Sequence, residues 1–577
     1  MTPETTTLEK PAHSHATTTP RPKKPVQHFK RPVERPFTRD QRPYTTVLFG
    51  GLTWSHERLI KGAWEGLGYK CDVVPTPDVK AFQLGKEYGN NGQCNPTYFT
   101  VGNLVQYLQG LEKQGVSRSQ IANDYVFITA GACGPCRFGM YEAEYRLALR
   151  NSGFDDFRVI LFQQSKGLSQ EDLNAGLEMN LDFFLAMLNS MNMGDMLNEI
   201  GYLVRPYETE AGRINQVLDQ ARESLAEALK HQPRASMGDR VEKILRGAKL
   251  YNQADYTIKF ARQLTTSYYT DALEKVRDQI ADIEVDRFRV KPIVKITGEF
   301  WAQTTDGDGN YNMFPFLERE GAEVIVEPIG TWIMYMIHQF KQKLRDRKGI
   351  EEGGVMPSWV KEPWRRAKVE ARFRKRMARM NVAEKIFFRE YSKLQHALGA
   401  GVLHELVCQY ELQRMGHPYY NSRAAGGEGH LEVAKNIYYS SKGIAHMVVS
   451  LKPFGCMPST QSDGAQAAVT EHYKDMIYLP IETSGEGEIN AHSRVQMALG
   501  NARIKARQEF ADCLAKTGRT LPELRAYVDA HPEMKKALYV VPKRDDVIGK
   551  AANFVLHVAE KMEKEGVEKR APSAVAA

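Results

Sequence analysis

Tyr125-Val-Phe-Ile-Thr-Ala-Gly-Ala-Cys133-Gly-Pro-Cys136-Arg-Phe-Gly-Met-Tyr-Glu142 is the stretch that decides the fold. Tyr125 to Thr129 are aromatic, β-branched and mostly apolar, as a buried strand requires. A Gly/Pro-rich loop with two cysteines follows, and a helical pattern then runs over Phe138 to Arg150. Strand, loop and helix in that order belong to a βαβ unit and a parallel sheet.

The neighbouring segments extend this series. Thr-Val-Leu-Phe-Gly-Gly (46–51), Cys71–Val74 and Phe157–Phe162 read as strands, and His56–Gly68 as a helix. Residues 44–170 are therefore expected to form a first α/β domain. From Glu171 to Asp286 the periodicity is helical, which makes 171–288 a helical connector; Leu181–Val204 carries Asp182, Asn189, Asn192, Asp195, Asn198 and Glu199, so it reads as a buried helix and not a membrane span. Pro292–Thr297, Glu323–Val326, Ala445–Ser450 and Ile477–Pro480 read as strands of a second α/β domain, 289–505, with a helical insertion. The architecture repeats although the sequence does not. Residues 506–577 are expected to be a helical extension ending in a frayed tail from Lys569.

The chain has 577 residues, 42% of them hydrophobic and 26% charged, enough to bury a large core. Its formal charge of +8 is uneven: residues 1–43 hold nine Lys/Arg against four Asp/Glu and eight of the 27 prolines, which leaves the rest nearly neutral. Residues 1–43 are expected to be a disordered basic leader, with a nucleic-acid arm as the sharper alternative. Met-Thr-Pro-Glu-Thr-Thr-Thr-Leu-Glu-Lys lacks the apolar core of a signal peptide. Seven cysteines are too few for a secreted disulfide scaffold, so a reducing compartment, the cytoplasm, is expected, with the thiols given to metal or redox work.

Four of those cysteines lie in Gly/Pro-rich loops: Cys94 in Asn-Gly-Gln-Cys-Asn-Pro, Cys133 and Cys136 above, and Cys456 in Pro-Phe-Gly-Cys-Met-Pro. Cys133, Cys136 and Cys456 fall just past the carboxyl ends of predicted strands, where open α/β sheets bind ligands. Cys94 precedes a helix beginning near Thr97, on the same side if the crossovers are right-handed. Thiolates ligate both iron-sulfur clusters and structural zinc. Zinc ribbons pair two local doublets, whereas one CxxC and two distant single cysteines suit a centre held between domains; zinc and redox-active or merely buried thiols stay open as alternatives. Cys71, Cys408 and Cys513 lie in apolar strand or helix patterns and read as small hydrophobes.

There is no Walker loop, no GxGxxG between strand and helix, no HExxH and no GxSxG, so hydrolysis has no support and any ATP dependence is assigned to another protein. Ala-Ala-Gly-Gly-Glu-Gly-His (424–430) before a helix could offer amides to an anion or a cluster sulfide. Glu299, Glu482, Glu486, Glu488 and His430 are placed at loops near strand ends, where they could move protons or simply cap helices. Lys361–Arg379 is a basic helical stretch, with nine Lys/Arg and two Glu, beside Trp359, Trp364 and Phe373. It reads as a solvated face or as a dock for an acidic partner or for phosphates such as those of coenzyme A.

Cys94-Asn-Pro, Gly134-Pro-Cys-Arg-Phe-Gly-Met-Tyr-Glu142, Lys295-Ile-Thr-Gly-Glu-Phe300 and Pro453-Phe-Gly-Cys-Met-Pro458 with Asp463 together resemble the 2-hydroxyacyl-CoA dehydratase and benzoyl-CoA reductase superfamily, in particular its acyl-CoA dehydratase activase-related members, over about residues 45–505. The resemblance implies two flavodoxin-like or Rossmann-like α/β domains with helical insertions and an oxygen-sensitive 4Fe-4S cluster between them. It also implies Cys94, Cys133, Cys136 and Cys456 as ligands, and a separate ATP-hydrolysing activase-type partner that supplies low-potential electrons for an acyl-CoA. Larger relatives carry ATPase modules ahead of this region, where this chain has the basic leader, so the ATPase is expected on a separate chain. Four placed cysteines favour one cubane over a double cubane.

The leading expectation is an iron-sulfur electron-transfer protein, a homo- or heterodimer that binds neither membrane nor nucleic acid. The rivals are a chain that itself binds an acyl-CoA at an open iron, as a dehydratase or reductase, and a zinc-stabilised scaffold whose tail and basic helix bind acidic partners.

Overall fold

The computed structural model describes residues 35–131, 134, 136–163, 176–233, 243–244, 247, 251–350, 356–399, 401–424 and 426–567. Its first sheet comprises β1 (Thr46–Phe49), β2 (Cys71–Val73), β3 (Tyr125–Gly131) and β4 (Arg158–Gln163), all parallel in the order β2-β1-β3-β4. Val47 lies opposite both Cys71 and Val126, and Phe127 opposite Val159. Strand alternation explains the layers. Leu48, Phe127 and Val159 pack with Leu104, Leu108 and Leu149 on one face, while Val47, Phe49, Val126 and Ile160 meet Ile60, Trp64 and Phe183 on the other. The covering helices are α1 (Trp54–Gly66), α2 (Val79–Tyr88), α3 (Asn95–Lys113), α4 (Arg118–Asp124) and α5 (Tyr141–Asn151).

The connector supplies α6 (Leu181–Val204), α7 (Arg213–Lys230), α8 (Tyr251–Thr265) and α9 (Tyr268–Ala281). Beyond it β5 (Ile293–Gly298), β6 (Glu323–Ile325), β7 (Met447–Pro453) and β8 (Tyr478–Thr483) form a second parallel sheet, ordered β6-β5-β7-β8. The helices of this half are α10 (Phe300–Thr304), α11 (Met313–Arg319), α12 (Ile329–Asp346), α13 (Pro363–Gly399), α14 (Gln409–Gly416), α15 (Gly429–Ser441), α16 (Met457–His472), α17 (Glu488–Thr517), α18 (Leu521–Ala530) and α19 (Lys550–Lys564). Both sheets therefore have the flavodoxin-like second-first-third-fourth strand order. In each, the switch point lies between the first and third strands, and a crevice opens beyond their carboxyl ends.

The connector ties the halves together within one compact unit that starts at Pro36. Asp195 of α6, buried, accepts the N–H groups of Ile329 (2.7 Å) and Gly330 (2.8 Å) at the start of α12 and pairs with His56 Nε2 (3.0 Å). His56 Nδ1 in turn lies 2.7 Å from Thr53 Oγ1, which accepts from Asn198 Nδ2 at 2.8 Å. One carboxylate thus satisfies a helix N-terminus and a histidine in a dry setting. Asp195→Ala should cost about 2–4 kcal/mol in a denaturant titration, because two cap N–H groups and an imidazole lose their acceptor.

Glu57, in the first turn of α1, closes the loop after β1 by accepting the N–H groups of Gly51 (2.8 Å) and Leu52 (3.1 Å). Burial pushes its carboxyl from 4.5 up to about 8. The folded state then holds this proton more tightly than the unfolded one, so stability is lost as pH rises between those two values. Relative to Glu57→Gln, which keeps the shape without titrating, the native chain should lose about 2–4 kcal/mol between pH 5 and pH 8.5, read from paired unfolding curves.

Several expectations change. Packing starts before residue 44: Phe37 is 2% exposed among the residues under the first sheet, and Arg42 pairs with Glu178 at 2.8 Å, so the expected leader is too long at its end. An aromatic ring with a core to enter overrides the proline-rich composition around it. Residues 1–34, and the tail from Lys569, lie outside the described residues. The first helix begins at Trp54 because Thr53 caps it, and α2 was not anticipated although Asp78 caps it by accepting from Ala81 N–H at 2.8 Å. Cys408 is exposed at the cap of α14, and so is not the small core hydrophobe expected; Cys71 and Cys513 are buried. Among the described residues no helix is long and apolar enough to cross a membrane, and α6 is a largely buried helix that holds Asn189, Asn192 and Asp195 inside.

Candidate metal centre

Each described candidate cysteine stands at the start of a helix. Cys94 caps α3 and Cys456 caps α16; both precede a proline two residues on, and a proline early in a helix gives up an N–H that has no intrahelical partner anyway. Cys136, past the end of β3, caps the short 3-10 turn Arg137–Met140, and its Sγ accepts the Phe138 N–H at 3.5 Å. Free N–H groups and the positive end of a helix favour an anionic sulfur. Cys136 and Cys456 are counterparts, each following the third strand of its sheet. Cys133 lies outside the described residues.

Loops from both halves meet at these positions. The Asn95 N–H donates to the Phe454 carbonyl at 3.0 Å, and Asn95 Nδ2 to Thr483 Oγ1 at 3.4 Å. Gly455 adopts φ +75°, and a Cβ there would stand 3.3 Å from Cys94 Cα and 3.1 Å from the Gln93 carbonyl oxygen. Only glycine lets the Cys456 loop settle so close to Cys94. Gly427, with φ +119°, is wedged in the same way: a Cβ would be 2.4 Å from Pro458 Cγ and 3.6 Å from Cys136 Cβ. Cysteines from opposite ends of the sequence are thereby gathered around the two facing switch points.

The surroundings are dry and acidic. Cys94 and Cys456 are 5% and 6% exposed. Cys94 Sγ lies 3.1 Å from Thr97 Oγ1 and 3.2 Å from Tyr141 Oη. Burial pushes all three thiols up; the Glu299 carboxyl adds to this at each, and Glu428 adds more at Cys136. Burial likewise raises Glu299, Glu428 and Glu432. Glu428 Oε2 is buried with no hydrogen-bond partner among the described residues. Glu432 accepts from Ser459 (2.6 Å) and Ser462, and Lys452 stands 3.7 Å away, itself paired with Asp463.

Three thiols and a buried carboxyl, one oxygen of which has no partner among the described residues, fit a positive centre, since ligand sulfurs give up their protons to a bound metal. Among the described residues no three His, Cys, Asp or Glu side chains converge as if to grip a single ion. A cubane asks something different, because each thiolate meets its own iron.

The other sequence candidates separate. Glu299 follows β5, caps α10 by accepting from Ala302 N–H at 2.9 Å, and lies within the cysteine site. His430 is in the first turn of α15, buried, and burial pushes it down to about 4. Glu482 is an exposed residue of β8, Glu486 an exposed loop residue and Glu488 the exposed first residue of α17, so none of these three joins the buried pocket. Glu428 and Glu432 were missed as site residues. Glu428 stood within the Gly-rich run already noted, whereas Glu432, inside a helix, gave no signal.

The sequence matches no established family model, and no curated protein is significantly similar to it.

Proposed function

We propose that the chain is a 4Fe-4S protein of ATP-driven low-potential electron transfer, with Cys94, Cys136, Cys456 and the fourth cysteine of the motif, Cys133, as ligands. A separate ATP-hydrolysing activase-type partner would supply the electron, and a dehydratase-like or reductase-like reaction of an acyl-CoA would use it. The observation that supports this reading is the close approach of Gly455 to Cys94, which sets the loops of Cys94 and Cys456, 362 residues apart in sequence, against each other. A cluster bound there supplies one-electron chemistry at low potential. The chain's own contribution is to bury the sulfurs, to keep water from them, and to set Cys94 and Cys456 at the positive N-terminal ends of α3 and α16. Hydrogen bonds to ligand sulfurs and burial are the means by which a protein sets cluster potential. Iron, acid-labile sulfide and EPR measurements on anaerobically purified protein test the proposal. Iron and sulfide in equal amounts with an EPR signal that appears on reduction are expected; iron-free protein holding stoichiometric zinc would overturn it.

A further inference from the structure

The far end of α12 and the first half of α13 enclose a groove of about 400 Å3. Lys343, Arg347, Lys348, Arg372, Arg376 and Arg379 line it, and no described carboxylate does. The dipole of α12 accounts for the cations of its last turn. It does not account for those of α13, where Arg372, Arg376 and Arg379 recur at i, i+4 and i+7 on a face shared with Val369, Phe373 and Met380. Like charges so spaced repel, at a few tenths of a kcal/mol per pair. Nearby carboxylates are engaged: Glu370 with Lys348 (2.7 Å) and Arg366 (3.3 Å), Asp346 with Arg423 (3.4 Å), and Glu384 with buried Lys341 (2.6 Å). Lys343, Arg347 and Arg379 have no ion pair among the described residues. The rest of the chain is nearly neutral, so this cationic density is local.

Two features narrow the ligand. Guanidinium forks bind phosphate oxygens in pairs, and several of them at one rim call for more than one phosphate. The lining includes the rings of Phe340 and Phe373; Lys348 Nζ stands 4.5 Å over the Phe373 ring, and the exposed Phe340 ring offers a flat apolar surface to a planar group. The enclosed volume is that of a single small molecule, within the usual range for ligand pockets. The groove is also distinct from the cysteine pocket: Tyr335 of α12 still senses Glu428, and Lys343 lies two turns further along, about 12 Å by helix rise.

We infer that this groove binds a nucleoside di- or triphosphate, its phosphates on the Arg347 and Arg379 rim and its base on Phe340. Calorimetric titration of the full chain with ADP at low ionic strength tests it, against adenosine and inorganic pyrophosphate. ADP should bind with Kd of about 50 μM, with adenosine and pyrophosphate each at least about tenfold weaker. Arg347→Glu/Arg379→Glu should weaken ADP binding at least about tenfold, and Arg347→Gln/Arg379→Gln by less. Arg414→Glu, an exposed arginine of α14, should leave it unchanged. The substituted side chains are exposed, so an unchanged circular dichroism melt is expected of each variant. The inference is overturned by no binding of ADP or ATP at about 1 mM, by equal affinity for pyrophosphate, or by rim variants that bind as the native chain does. Tighter binding of polyglutamate or single-stranded RNA than of ADP would also overturn it, reassigning the groove to a macromolecule.

Discussion

Anaerobically prepared Cys456→Ala protein should contain less than one iron per chain, against about four in the native protein. The argument is geometric. Cys456 is the one candidate ligand contributed by the second half, and Gly455 holds its loop directly on Cys94. Without that thiolate a cluster would be open on the side of the second sheet. Alanine is the informative substitution, because a serine oxygen can still ligate. Losing one buried sulfur costs about 1 kcal/mol of packing, so the variant should remain folded, which its thermal melt checks. Cys408→Ala, at an exposed helix cap, and Cys513→Ala, buried in α17, should keep full iron and sulfide. Full iron retention in Cys456→Ala would show that the two halves do not share a centre. Equal loss in Cys513→Ala would show that iron content merely follows stability.

The parallel sheets were legible because short β-branched and aromatic runs alternate with amphipathic helices; Val47, Leu48 and Phe49 already carry both faces of a buried strand in three residues. The placement of Cys136 and Cys456 past strand ends was legible for the same reason. What sequence could not supply was long-range contact. Asp195 looked like an interruption of an apolar helix, yet it caps a helix 134 residues away. Phe37 looked like part of a proline-rich tail, and its burial depends on a pocket formed by residues around the first sheet. Glu432 looked like an ordinary helical glutamate until the fold placed Ser459 and Ser462 against it. Lys295 looked like the start of one of the stretches that carry the family resemblance, and its partner is visible only in three dimensions.

Glu327→Ala should destabilise the protein by about 3–5 kcal/mol, the largest loss expected from a substitution outside the cysteine loops. Lys295 sits in the middle of β5, fully buried, with its Nζ 2.8 Å from Glu327 Oε2 and 4.4 Å from the centre of the Tyr439 ring. Lys435 of α15 approaches the same oxygen at 3.6 Å, and the Tyr439 hydroxyl donates to it at 3.3 Å. Burial alone would raise the Glu327 carboxyl, but the two ammonium groups outweigh it and hold it down to about 2; burial brings Lys295 down to about 8 despite the carboxylate. For Glu327 the folded value lies below the unfolded one, so its contribution is complete above pH 4.5 and is lost as pH falls toward 2. Removing the carboxylate leaves two ammonium groups in a dry site with no counter-charge. Lys295, held below its unfolded value, binds fewer protons when folded, and loss of the carboxylate lowers it further, so Glu327→Ala should begin to regain stability with rising pH already below pH 8, where the native chain does not. Lys295→Met in the Glu327→Ala background should recover part of the loss, since one stranded charge is replaced by an apolar side chain of similar length. Guanidinium titrations of the two single variants and the double variant measure the coupling. A loss below about 1 kcal/mol in Glu327→Ala, or strict additivity in the double variant, would mean that water reaches this trio and that the second sheet is not anchored by it.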